Sequence, residues 1–169
     1  AEDGSWPRTG VMLQPLEPPA NPDKTRPSMF GASISLSASF LVVGDPIRRL
    51  VTVFPVSGGV RNASDMERSH LHPTGDGLFG DCVSNTDLYL VVGARGGNRA
   101  YIFKSFQNRS WPELPFQVLT YHAPQPAASV GAACVMNNQD VLLPSFGDSN
   151  GQVFVHSTAC ASGYYGFSS

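Results

Sequence analysis

Along this chain the apolar positions gather into short runs that return at a fixed interval, each closed by glycine or proline. Phe30-Gly31 leads to Leu41-Val42-Val43-Gly44, Phe79-Gly80 to Leu90-Val91-Val92-Gly93, and Val130-Gly131 to Val141-Leu142-Leu143-Pro144. In all three the opening glycine stands 13 positions before the closing residue, and successive opening glycines are 49 and 51 positions apart. A period of this size marks a repeated supersecondary unit. In the first unit, Ala32 to Leu36 is small and alternating, and Phe40 to Val43 is a dense apolar run ended by Gly44-Asp45-Pro46. Leu50-Val51-Thr52-Val53-Phe54 follows, closed by Pro55 and Gly58-Gly59. Such runs bounded by turn residues are strands. The second unit repeats the order with Asp81 to Ser84, Tyr89 to Val92 and Ala100 to Phe103, with Gly93 to Gly97 as its turn. The third offers Ala132 to Met136, Asp140 to Leu143 and Gln152 to His156, with a turn at Ser145 to Gly151 lengthened by two residues.

The linking segments read as a fourth, outer strand. Ser5-Trp6-Pro7 precedes Val11 to Leu16, and Ser110-Trp111-Pro112 precedes Phe116 to Thr120, so the tryptophan belongs to the repeat. Four short antiparallel strands per unit is the content of a propeller blade, and each blade needs neighbours to cover its two faces. The Val-Val pairs and the phenylalanines are therefore expected to pack between blades. The expected boundaries are 1–58 for a first blade with a Pro-rich N-terminal segment, 59–107 for a second, 108–158 for a third, and 159–169 for a Cys-containing C-terminal segment.

Phe-Gly-x-Ser-Ile-Ser at 30–35, Leu-Val-Val-Gly-Asp-Pro at 41–46 and Val-Thr-Val-Phe at 51–54 resemble the FG-GAP repeat family of β-propellers, which includes the integrin α-subunit head. The second unit, from Phe79-Gly80 to Tyr101-Ile102-Phe103, is the best match, and the third departs with Val130 for Phe and Pro144 for Gly. The resemblance covers most of residues 5 to 156. It implies an all-β fold of three four-stranded blades, incomplete unless closed by further chain or another subunit, and a role in extracellular recognition or scaffolding. Integrin-like repeats often carry an Asp-rich calcium loop between the first two strands. The equivalent stretches here, Ser35 to Ser39, Ser84 to Leu88 and Val135 to Gln139, lack alternating carboxylates, so no calcium and no other cofactor is expected. Gly147-Asp148-Ser149-Asn150-Gly151 has one carboxylate and reads as a turn.

Composition narrows the function class. The 169 residues are 41% apolar and 14% charged with a formal charge of −2, and the 11 Lys and Arg are scattered, which gives no basic field for nucleic acid. No apolar run approaches the roughly 18 to 20 residues that span a bilayer. Ala1-Glu2-Asp3 reads as a mature or trimmed terminus. The sequons Asn62-Ala63-Ser64 and Asn108-Arg109-Ser110 fall in comparable connections after Phe54 and Phe103, so Asn62 and Asn108 are expected glycosylation sites of a secreted or cell-surface chain. Leu13 to Ser28 holds five prolines and favours an extended path, either across a neighbour's surface or as a long loop inside the first blade. Cys82 and Cys134 lie two and three positions after their aligned glycines, on opposite strand faces, and are expected as buried thiols. Cys160 is the candidate for an intermolecular or downstream disulfide, and Cys160 to Gly166 is similar to the start of an EGF-like module.

Little in the sequence suggests catalysis. No Gly-x-Ser-x-Gly elbow is present, His70-x-His72 runs into Pro73 and reads as an outer-strand end, and Gly58-Gly59 and Gly96-Gly97 lack the strand-to-helix setting of a phosphate loop. No catalytic or metal-binding residues are therefore assigned. The expected function is a non-enzymatic structural or adhesive module of a surface glycoprotein or filament assembly, whose partners are other copies, further blades, or extracellular protein and glycan ligands. The alternative is a secreted glycan-binding or glycan-processing propeller.

Overall fold

The computed structural model describes residues 28–56, 69–71, 77–106, 110–121, 129–145 and 151–158. They form three antiparallel sheets, each built from strands consecutive in sequence. Sheet 1 contains β1 (Ser33–Leu36), β2 (Phe40–Asp45), β3 (Leu50–Pro55) and β4 (Ser69–Leu71). Sheet 2 contains β5 (Phe79–Asn85), β6 (Tyr89–Ala94), β7 (Arg99–Lys104) and β8 (Gln117–Thr120). Sheet 3 contains β9 (Val135–Met136), β10 (Asp140–Ser145) and β11 (Gln152–Ser157).

Nine of these strands stand where the hydrophobic pattern places them, for a simple reason. Each run alternates about a backbone whose polar groups must pair, and the Gly, Pro, Asn and Asp residues between runs permit the reversals. Ser37, Thr86 and Asn137 close the three first hairpins in the same manner, their N–H groups donating to the carbonyls of Phe40, Tyr89 and Asp140. The expected strand at Ala132 to Met136 is cut to two residues in β9. Continuing its ladder would bring it opposite Pro144, which has no N–H to contribute.

The outer strands require a correction to the expected boundaries. β4 lies within 59–107 yet pairs with β3, Val51 standing opposite Leu71. β8 lies within 108–158 yet pairs with β7, Ala100 standing opposite Leu119. Each outer strand therefore follows the three strands of its own sheet and does not open the next. Leu71 is fully buried, so the end of β4 is anchored in the core.

Sheet 2 is covered on both faces. One core joins Phe40, Val42, Val51 and Val53 of sheet 1 to Phe79, Val83, Leu90, Val92, Tyr101 and Phe103 of sheet 2, with Leu71 and Trp111. The other joins Val91, Ala100, Ile102 and Leu119 of sheet 2 to Val130, Met136, Val141 and Leu143. The consecutive valines Val91 and Val92 thus serve opposite cores, which explains why this central strand is continuously apolar. A Phe as buried as Phe103 contributes about 2–3 kcal/mol through burial alone.

The sheets approach each other most closely at glycine. Gly31, Gly80 and Gly131 have φ of 93°, 93° and 92°, a left-handed conformation that side chains disfavour. The carbonyl oxygen of Gly80 lies against the Cα of Gly44, and that of Gly131 against the Cα of Gly93, so that a Cβ at Gly44 or Gly93 would collide with backbone. Around Gly31 the corresponding space is open. Gly93→Ala should therefore lower stability by about 1–3 kcal/mol through overpacking alone, with its partner Gly131 unable to retreat. Gly31→Ala keeps only the backbone strain and should be the milder change in urea denaturation; equal losses in both variants would show that close approach is not the constraint.

Candidate functional site: the seams between the sheets

Among the described residues, side chains bond across both seams between the sheets. In the first, Ser33 Oγ donates to the Gly80 carbonyl at 2.8 Å, and Ser35 Oγ accepts from the Asn85 N–H at 3.0 Å. Asp87 Oδ1 accepts from the Ser39 N–H at 3.0 Å. In the second seam, Ser84 Oγ accepts from the Met136 N–H at 3.1 Å, and Asn98 Oδ1 accepts from the Val130 N–H at 3.2 Å. Ser35 and Ser84 perform one task in successive seams. Each satisfies a backbone donor that sheet stacking would otherwise leave buried without a partner, a loss of about 1–3 kcal/mol.

The second seam is also covalent. Cys82 and Cys134 form a disulfide with their Cα atoms 5.9 Å apart, across a sequence separation of 52. This overturns the expectation of two buried thiols. Their opposite facing, which seemed to keep them apart, is what brings them together: the face of sheet 2 that looks forward meets the face of sheet 3 that looks back. Ser33 occupies in sheet 1 the place of Cys82 in sheet 2, so a hydroxyl-to-carbonyl bond in one seam corresponds to a covalent bond in the other.

Two carboxylates fix the ends of the sheets. Asp45, almost fully buried, accepts from Ser28 Oγ at 2.6 Å, from the Met29 N–H at 3.0 Å and from the Arg48 N–H at 3.2 Å. It holds the chain entering sheet 1 against the turn that follows β2. Asp81 Oδ2 pairs with Arg95 Nε at 3.0 Å within sheet 2. Burial pushes the Asp81 carboxyl above its ordinary range, and Arg95 offsets part of that rise. His156 stands opposite Val141 in the ladder, and burial lowers its imidazole below the ordinary value. Its Nε2 is buried without a protein partner.

Of the residues singled out by sequence, Asn62, Asn108, Cys160, His72 and Gly147 to Asn150 lie outside the described residues. His70 is on β4 opposite Thr52. Gly96 and Gly97 end a single 3-10 turn, Arg95–Gly97, and the Gly96 N–H donates to the Gly77 carbonyl. Trp111 precedes β8 and is buried edge-to-face against Phe40, centroids 5.3 Å apart, so it serves the first seam. Sequence reasoning missed Asp45, Asp87, Asn98 and the serine pair. Ser35 and Ser84 could have been found, since they are 49 positions apart, the interval of Gly31 and Gly80. Among the described residues, no three His, Cys, Asp or Glu are grouped to hold a metal ion, and no helix is long and apolar enough to cross a membrane. No protein-family model matches the chain, and no curated protein matches it.

Replacing both Cys82 and Cys134 by Ala should cost about 2–4 kcal/mol, because the 52-residue separation no longer restricts the unfolded chain. Thermal unfolding under oxidising conditions would read this, and an unchanged midpoint would show that the seam holds without the bond. His156 supplies a separate test. Its folded-state pKa lies below 6.5, so the unfolded chain takes up the proton first. Stability contributed by neutral His156 is present above about pH 6.5 and is lost as pH falls through that value towards the folded pKa. Denaturant midpoints should drop between about pH 7 and 5, and His156→Leu should remove most of the drop; an equal drop in both proteins would assign it elsewhere.

Proposed function

We propose that this chain is a non-enzymatic extracellular module with a structural or adhesive role: three blades of an FG-GAP-like β-propeller, completed by further chain or by other copies. The observation that carries this reading is the close approach of Gly80 to Gly44 and of Gly131 to Gly93. Two stacked pairs of sheets use one kind of contact at nearly the same sequence interval, 36 positions from Gly44 to Gly80 and 38 from Gly93 to Gly131, as blades around an axis would, and its glycines are those of the Phe-Gly to Val-Val-Gly pattern of the family. The Cys82–Cys134 disulfide is compatible with an oxidising compartment, where glycans at Asn62 and Asn108 would also be added. The polar groups placed at the seams bind one sheet to the next, which suits a scaffold that presents loops and faces to partners.

The experiment is adhesion. Beads coated with the full chain, produced by secretion so that glycans are present, should adhere to cells or matrix of the organism that makes it well above beads coated with an unrelated glycoprotein. Asn62→Gln and Asn108→Gln should each remove one glycan from the secreted protein, read by mass spectrometry. Adhesion at the control level, or turnover of glycosides by the purified chain, would sink the reading.

A further inference from the structure

We propose that two copies of this chain pair through sheet 3, the outward face of one packed on the same face of the other about a two-fold axis. This rests on the blade reading above and names the partner that covers the last blade. Met136, Val141 and Leu143 face the core shared with sheet 2. Strand alternation therefore turns Val135, Leu142, Pro144, Val153 and Val155 the other way. The ladder sets Val135, Leu142 and Val155 opposite one another across all three strands, with Pro144 opposite Val153 beside them. Val135, Val153 and Val155 are 62%, 60% and 66% exposed. A contiguous apolar patch of this kind marks an interaction surface.

The two internal seams show what such a face does and how this one differs. In sheet 1 the same row is Ser35, Val42 and Val53, and in sheet 2 it is Ser84, Val91 and Ile102. There Val42, Val53, Val91 and Ile102 are at most 2% exposed, because the next sheet lies on them. In sheet 3, Val135 replaces the serine, and Pro144 stands where Gly44 and Gly93 stand. A sheet docked in the internal manner would press a carbonyl onto the proline ring and turn an N–H onto the methyl groups of Val135. A donor buried in that way costs about 1–3 kcal/mol. The cover must instead offer side chains at the ordinary sheet spacing of about 10 Å, with no backbone group left unpaired.

Sheet 1 does not provide that cover. Its outward face exposes Ile34 and Leu36, but Leu36 holds the register position of Asn85 and Met136, whose N–H groups each take a serine hydroxyl from across the seam. Sheet 3 of a second copy does provide it. The five side chains are uncharged and form no hydrogen bonds, so the two faces meet without like charges or unpaired donors at their centre. Asp140, the charged residue of this face among the described residues, lies at its rim opposite Ser157. A patch that complements itself gives a closed two-fold dimer and no longer assembly. It covers on the order of a few hundred Å² per copy, less than the roughly 800 Å² per partner of a standard interface, so the pairing is reversible.

The test is sedimentation of the full oxidised chain from about 1 to 300 µM, a range over which an interface of modest affinity populates both single and paired copies. The average mass should climb from that of the 18.0 kDa polypeptide with its glycans towards twice that value and no further. Val155→Lys places a charge in the joint and should weaken pairing at least about tenfold. Val135→Ser restores the residue of the other two sheets and, by removing methyl groups from both copies, should weaken pairing at least about threefold. Both positions are exposed in the single copy, so the circular dichroism spectrum should not change. Ile34→Lys, at the other end of the stack, should leave pairing as it is. A constant monomer mass overturns the proposal, as does a mass rising beyond two copies. Pairing undiminished by either valine substitution also overturns it, and so does pairing lost in Ile34→Lys, which would assign the joint to sheet 1. The bead assay separates the two readings: a monomer that adheres overturns the pairing alone, and a dimer that does not adhere overturns the adhesive reading alone.

Discussion

The stacking of the three sheets depends on a backbone contact with no room for a side chain. A carbonyl belonging to a left-handed glycine is set against the α-carbon of another glycine in the sheet before it. Face-to-face sheets ordinarily keep about 10 Å apart, because side chains from both faces fill the gap. Where Gly80 meets Gly44 and Gly131 meets Gly93 there are none, and backbone closes on backbone. Everything near those points must be small or able to bond backbone. That accounts for Ser33, Ser35, Ser84 and the cystine at this position, while valine, leucine and phenylalanine fill the wider parts of the same seams.

From this follows a division of labour among the strands of a sheet. The side chains that the first strands turn to the next sheet, Ser33, Ser35, Cys82 and Ser84, are small, and those of the strands beside them, such as Phe40, Val53, Val91 and Ile102, are apolar. The next sheet answers with backbone N–H groups offered to the serine hydroxyls. The disulfide fits this plan, since it joins a position that is small in sheet 1 to one that is apolar there. It supplies covalently, between sheets 2 and 3, the connection that Ser33 supplies by hydrogen bonding between sheets 1 and 2.

Much of the fold is legible in the residues because strand burial leaves a direct trace. Leu90-Val91-Val92 is apolar without interruption because both its faces are covered, and Phe103 is large because it reaches a core. Two things were hidden for physical reasons. Membership of the outer strands depends on which neighbour they pair with, and β4 and β8 carry the same residues whichever sheet they join. The cystine was hidden because side-chain parity on one strand says nothing about which sheet lies beyond that face. The carboxylates Asp45 and Asp87 were invisible for a related reason: an acidic residue in a turn looks the same whether it holds the chain entering its own sheet, as Asp45 does, or reaches across to another sheet, as Asp87 does.

The cystine also sets how the chain would respond to being pulled. Cys82 and Cys134 enclose most of sheet 2 and the connection that leads to sheet 3, across a separation of 52 residues. Tension applied at the two ends of the chain bypasses this loop, because force passes through the sulfur–sulfur bond and leaves the enclosed backbone slack. About 170–190 Å of extended chain is thereby withheld from stretching. Sheet 1 and the strands of sheet 3 lie outside the loop and carry load through hydrogen bonds and packing alone, so they give way before it. Under load the chain is an inextensible middle segment in series with a compliant one on either side.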